Sequence, residues 1–202
     1  MKNSRFIALL FSLAILATSA VCFAQAEKSV IVVVNTTESS WPDQSFAKRL
    51  NTLMAEQSGV ELAEPEDSDE LKRASNGLFN KQQAIDHGIA GEHRYVLWCD
   101  VRREEMRIEK GFTLPFFAKQ RRVTAYMDIE YRIVDCQRGR LMVSEKLKVK
   151  EHGPSSMQYL DYTDADPSLY LSYAERKEIF DKLEQEAADK LTEVIDDLAR
   201  QR

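Results

Sequence analysis

Residues Ser29 to Asn35 read SVIVVVN, with only β-branched apolar side chains from Val30 to Val34. Branching at Cβ favours extended backbone, and an apolar run without alternation has to be covered on both faces. The chain therefore needs a sheet with this strand inside it. Further along, the hydrophobic period becomes two. Tyr95, Leu97, Cys99 and Val101 share one side of a strand. Val123, Ala125, Met127, Ile129, Tyr131 and Ile133 share one side of the next, with Thr124, Tyr126, Asp128, Glu130, Arg132 and Val134 opposite. A third strand carries Leu141, Val143, Leu147 and Val149 on one side, Glu145 being the exception. Its other side holds Met142, Ser144, Lys146, Lys148 and Lys150. Such alternation marks a sheet with one buried and one wet face.

Matching the apolar faces of the last two strands pairs odd positions with odd ones. Cys136 then stands opposite Arg140 across a three-residue loop, Gln137-Arg138-Gly139, and Gly139 supplies the left-handed residue such a loop wants. The same register sets Asp128 opposite Lys148 and Glu130 opposite Lys146, and cross-strand charge pairs of this kind contribute up to about 1 kcal/mol each. Cys99 falls opposite Tyr131. That leaves it about 16 Å of strand away from Cys136, whereas a disulfide needs Cα atoms within about 7 Å. Two free, buried thiols are predicted.

Helical spacing appears in three places. Phe46, Leu50, Leu53 and Met54 form an apolar stripe within Gln44–Ser58, with Pro42 before it and Gly59 as a stop. Val60 to Ala63 reads as a short strand, and acidic Glu64 to Glu70 as a loop or helix start. Leu71 to Gly88 reads as a weaker helix with Leu71, Leu78 and Ile85 inward. His152-Gly153-Pro154 opens an irregular stretch to Ser172. Tyr173 to Arg200 is the last helix, with Ile179, Leu183, Ala187, Leu191, Ile195 and Leu198 as its stripe and a charged outer face. The order is β-α-β-α-β-β-β-α, an α+β domain of two layers with helices on one face of a mixed sheet.

The amino terminus has the three parts of a secretory signal: Lys2 and Arg5, the apolar stretch Phe6 to Val21, and the A-x-A site Ala24-Gln25-Ala26. Residues 1–26 are expected to be cleaved, leaving 27–202 as one domain in the periplasm. The stretch is shorter than the roughly 20 apolar residues of a membrane span. Cys22 follows Ser19-Ala20-Val21, which lacks the large aliphatic and final small residue of a lipobox, so a soluble chain without lipid is expected. The formal net charge is −5. Removing two bases with the signal makes it more acidic still, which argues against a broad nucleic-acid surface.

Catalytic signals are absent from the sequence pattern. No G-x-S-x-G occurs, and His87, His93 and His152 each lack a nucleophile in a recognisable context. His87, next to Gly88, reads as a helix-end residue, and a hydrolase built on His87 or His152 is the weakest functional reading. There is no C-x-x-C pair, and Asp161, Asp164 and Asp166 lack EF-hand spacing. No catalytic residue, cofactor or metal is expected.

Three stretches carry a family resemblance: SVIVVVN with the helix from Gln44, AIDHGIAGEHRYVLWCDV from Ala84 to Val101, and YRIVDCQRGRLMVSEKL from Tyr131 to Leu147. Together with the last helix they resemble the periplasmic domain shared by the curli export channel subunit, the amino-terminal domain of the Tol-system propeller protein and flagellar outer-membrane accessory proteins. The resemblance implies a non-enzymatic envelope accessory role. It carries over no functional residue.

Two stretches stand out as contact surfaces. Gly111 to Arg122 reads GFTLPFFAKQRR, where Phe112, Leu114, Phe116 and Phe117 surround Pro115 and are flanked by Lys110, Lys119, Arg121 and Arg122. Pro115 is awkward inside a central strand, which makes this a hairpin tip. An apolar tip bordered by bases suits an envelope protein partner or an outer-membrane surface. Tyr159 to Tyr173, with Tyr162 and several aspartates, is the second candidate. The expected function is an interaction protein supporting an envelope assembly through the 111–122 tip, with homo-oligomers open. The alternative is a small hydrophobic ligand- or lipid-binding module with Phe112, Phe116 and Phe117 lining a pocket.

Overall fold

The computed structural model describes residues 29–37, 41, 45–57, 59–114, 118–159 and 170–200, without the side chains of 111–119, 158 and 159. The signal stretch, Cys22 and Pro42 lie outside these residues. Among these residues nine elements follow in order: β1 (Ser29–Thr36), α1 (Phe46–Gln57), β2 (Glu61–Leu62), α2 (Pro65–Ala74), α3 (Lys81–Ala90), β3 (Tyr95–Leu114), β4 (Ala118–Asp135), β5 (Arg140–Tyr159) and α4 (Tyr173–Arg200). The sheet order is β2-β1-β3-β4-β5. β1 runs parallel to β2 and β3, and the remaining pairs are antiparallel. The mixed sheet and the α+β class are as the alternation pattern implies.

The layering differs from the expected two layers. Val30 and Val32 enter one core with Leu50, Met54, Leu97, Ile129, Leu183 and Leu191, between the sheet and α1 and α4. Ile31 and Val33 enter a second core with Leu71, Ala84, Ile85, Val96, Trp98 and Val134, under α2 and α3. Helices thus cover both faces around β1. The cause lies in the SVIVVVN run itself, whose two apolar faces each need a cover.

The long helix expected over Leu71–Gly88 is two helices. Asn76 and Gly77 take positive φ of 52° and 71° and break it, and Asn80 recaps the chain by accepting from the amides of Gln82 and Gln83. The turn leaves Leu78 exposed at 71%, not inward, while Leu71 and Ile85 are buried as predicted. α2 also closes the edge of β1 that two-residue β2 leaves open. Ser68 Oγ donates to the carbonyl of Val32 at 2.7 Å, and Lys72 Nζ to that of Val34 at 3.1 Å. Residues one helical turn apart thereby satisfy alternate carbonyls of the strand.

The β4–β5 register is the predicted one over most of its length, with Ile133 opposite Val143, Glu130 opposite Lys146 and Asp128 opposite Lys148. The loop is not. Asp135 pairs with Arg140, so Cys136–Gly139 makes a four-residue turn, and a bulge between Ile133 and Val134 restores odd-with-odd pairing. Asp135 Oδ1 accepts from the Arg138 amide at 2.9 Å, and Gly139 has φ 61°. An Asx-type turn won over the shorter loop. Glu145, the exception on the apolar face, accepts from the Tyr131 hydroxyl at 3.0 Å. β5 also continues past His152-Gly153-Pro154 to Tyr159, where an irregular stretch was expected. The register shifts between Arg122 and Thr124, and the proline sits at this bulge on an edge strand, where its missing N–H is tolerated.

Two close contacts set stability. A Cβ on Gly88 of α3 would overlap the Cys136 sulfur, so the helix lies on the sheet only because this residue is glycine. Between α1 and α4, Glu184 is buried although the outer face of α4 is charged. Ser45 Oγ donates to its Oε2 at 2.6 Å and Arg49 Nε at 3.3 Å, while its Oε1 has no hydrogen-bond partner. Burial pushes its carboxyl above the usual range, with Ser45 and Arg49 opposing.

Gly88→Ala is expected to cost about 1–3 kcal/mol in denaturant unfolding, with much of it recovered in Gly88→Ala/Cys136→Ala. Additive effects would show that the two sites do not touch. For Glu184, a raised folded-state pKa means stability present at low pH and lost as pH rises. The melting temperature of Glu184→Gln relative to wild type should therefore climb from about pH 4 to pH 7. A pH-independent difference would contradict the assignment.

Candidate partner interface

β1 ends at Thr36, opposite Val101. Beyond that point β3, β4 and β5 run on as a three-stranded arm. One extra residue in β3, between Val101 and Arg103, shapes it. A one-residue gain reverses the side of every later side chain. Glu104 and Met106 consequently lie on the α4 side, Glu104 4% exposed and Met106 packed against the larger core. Arg103, Glu105 and Arg107 join Asp128, Tyr126 and Thr124 on the open side.

The open face starts at a buried carboxylate. Asp100 accepts from Trp98 Nε1 at 2.9 Å and from Arg132 at 2.8 Å, and the Arg132 guanidinium also lies 5.0 Å from the Phe79 ring centre. Glu130 comes next, bound to Lys146 at 2.8 Å and to Arg102 at 3.1 Å. The Lys146 hydrogen bond, with Arg102 adding charge, holds the Glu130 carboxyl below the usual carboxylate range. Arg103 reaches Glu105 at 2.5 Å and Asp128 at 3.5 Å and covers the Tyr126 ring. Asp128 thus turns to Arg103 and not to Lys148, its cross-strand neighbour. Nearer the tip, Tyr126 and Thr124 both donate to Glu109, and His152 Nδ1 lies 3.2 Å from the Thr124 hydroxyl.

The β3–β4 ladder closes at Leu114 opposite Ala118, and Ala118 in turn stands opposite Tyr159. The sheet therefore brings the two stretches singled out from sequence, 111–122 and the start of 159–173, to the same end of the arm. Arg121 and Arg122 are half-buried in β4, opposite Lys110 and Glu109. Phe112 and Leu114 lie in β3 and Tyr159 ends β5, but their side chains are outside the described residues. Phe116, Phe117 and Tyr162 are outside altogether. At the start of α4, exposed Tyr173 stacks on Trp41 at 5.2 Å, and Trp41 on Phe180 at 4.6 Å.

The histidines differ from their sequence reading in one respect. His93 Nδ1 lies 2.5 Å from Ser29 Oγ and its Nε2 3.2 Å from an Asp67 oxygen. A serine, a histidine and an aspartate are in line, drawn from β1, the turn before β3, and α2, so no local motif shows them. Ser29 is 7% exposed at the first residue of β1, and the relay ties that strand to α2. His87, in the last turn of α3, donates from Nε2 to the Asp67 carbonyl at 3.0 Å. Cys99 and Cys136 are both free and buried, and Cys99 stands opposite Tyr131 as predicted. Burial raises both thiols, with Asp100 adding at Cys99 and Asp135 at Cys136, the latter to about 12. Among the described residues no three His, Cys, Asp or Glu side chains group to hold a metal ion, and no helix is long and apolar enough to cross a membrane.

No family model matches the chain, and no curated protein matches it. Solved structures do match in fold. A hypothetical protein from Chlamydia trachomatis superposes with a TM-score of 0.51 at 11% identity, over 83% of this chain and 97% of that one. The LpoB C-terminal domain from Salmonella enterica gives 0.39 at 14% identity, over 62% and 84%. A lipoprotein from Neisseria meningitidis gives 0.38 at 15% identity, over 79% and 98%. The first of these shows a shared fold and no more, and the matches lend no support to the specific curli, Tol or flagellar resemblance. They also overturn the expectation of a soluble chain without lipid. Matched structures from Neisseria meningitidis and Acinetobacter baumannii are those of lipoproteins.

Proposed function

We propose that this chain is a non-enzymatic accessory protein of a bacterial envelope, exported by residues 1–26, that holds an envelope protein through the end of its three-stranded arm. The observation that carries the reading is convergence. The apolar, base-flanked 111–122 hairpin and the end of β5 at Tyr159 meet at the far end of one rigid ladder. Tyrosine and arginine, both present in these two stretches, are residue types that dominate interface energetics. The fold likeness to envelope lipoprotein domains is consistent with the same role.

Phe116→Asp/Phe117→Asp should leave the fold intact and abolish in-cell crosslinking to a defined envelope protein that wild type captures. Retention of the same partner by the folded double variant would contradict the reading.

A further inference from the structure

The outer edge of the sheet carries a second surface, independent of the hairpin tip. β5 is an edge strand. Between its two bulges the pairing with β4 is unbroken from Val143 to His152, a straight run long enough for one added strand. Among the described residues no backbone group outside β4 pairs with this run. Its open face carries Ser144, Lys146, Lys148, Lys150 and His152, all exposed. Successive cations there stand about 6.8 Å apart, the i to i+2 repeat of a strand. Lys146 is committed to Glu130. Lys148 has lost its cross-strand carboxylate to Arg103, and neither it nor Lys150 makes an ion pair with a described residue.

The other face of the same run is different. Val143 and Leu147 are half-buried and pack against the larger core, Val149 is buried between sheet and helix, and the two carboxylates on this face are Glu145, which accepts from the Tyr131 hydroxyl, and half-buried Glu151. A strand laid along this edge would extend that apolar layer on one face and meet the lysines on the other. A second copy of β5 does not fit. Antiparallel pairing of the run with itself, faces matched, sets lysine against lysine, and like charges directly opposite are destabilising. Edge lysines of this kind blunt self-association of sheets.

We propose that the Val143–His152 edge accepts an extended segment of a partner protein, by strand addition, and selects one that alternates acidic with apolar residues. Its carboxylates would pair with Lys148 and Lys150, its apolar side chains would lie beside Val143 and Leu147, and its backbone would continue the ladder.

The test uses a labelled, terminally blocked eight-residue peptide alternating glutamate with valine, titrated against the purified protein by fluorescence anisotropy. Binding should weaken at least tenfold with Lys148→Ser/Lys150→Ser, and at least tenfold when alternate peptide amides are N-methylated. It should be unchanged in Phe116→Asp/Phe117→Asp, which separates this edge from the tip. Absence of binding to wild type overturns the proposal. So does binding indifferent to N-methylation, which would be charge attraction without strand addition, and so does binding indifferent to the lysine substitutions.

Discussion

Everything else in the molecule depends on β1 being covered twice. Val30 and Val32 face α1 and α4, and Ile31 and Val33 face α2 and α3, all four with 6% exposure or less. A strand with two apolar faces cannot be left at the surface of a sheet. It forces the connection from β1 to β2 onto one face and that from β2 to β3 onto the other. It also forces β3 to lie parallel beside it, Val30 opposite Tyr95 through Thr36 opposite Val101. Once β3 is seated, the antiparallel partners β4 and β5 follow by simple return.

The arm is what remains when β1 stops. β3 has a neighbour on both sides up to Val101 and on one side after it. The bulge there exchanges the faces of the strand, so that Met106 still meets the core while Arg103 and Arg107 enter the charge lattice. Asp100 sits at this junction, holding Trp98, Arg132 and Arg102. A buried carboxylate with several cation and N–H partners ties the helix-covered end of the sheet to its open face.

Much of the fold was legible in sequence because period and face are local properties. The stripe of α1, the bounds of α4, the alternation of three strands, the facing of Cys99 and Tyr131, and the absence of a disulfide all follow from counting residues. The misreadings have physical causes of another kind. Leu78 points inward only on a helix that runs unbroken through Asn76 and Gly77, and their positive φ belongs to a turn that the recapping Asn80 completes. The hairpin loop came out one residue short because a bulge can absorb what a loop adds. The run through Gly153-Pro154 looked like a break because a proline is excluded from a strand only where its N–H is needed. The charge lattice, the Ser29–His93–Asp67 relay and the buried Glu184 join distant segments, so no spacing announces them. The SVIVVVN run itself had already implied cover on both faces, which the two-layer expectation did not honour.

The most direct measurement of this account is amide hydrogen exchange resolved along β1 and β3. Double cover predicts that amides of Ile31 to Val34 and Val96 to Cys99 exchange only through global unfolding. Those amides of β3 beyond Arg103 that donate to β4, every second one, should exchange through smaller openings yet remain far slower than open chain. β1 exchanging as fast as outer β3 would contradict the central place given to β1. Open-chain rates for the β4-bonded amides between Arg103 and Lys110 would contradict the arm as a continuous ladder.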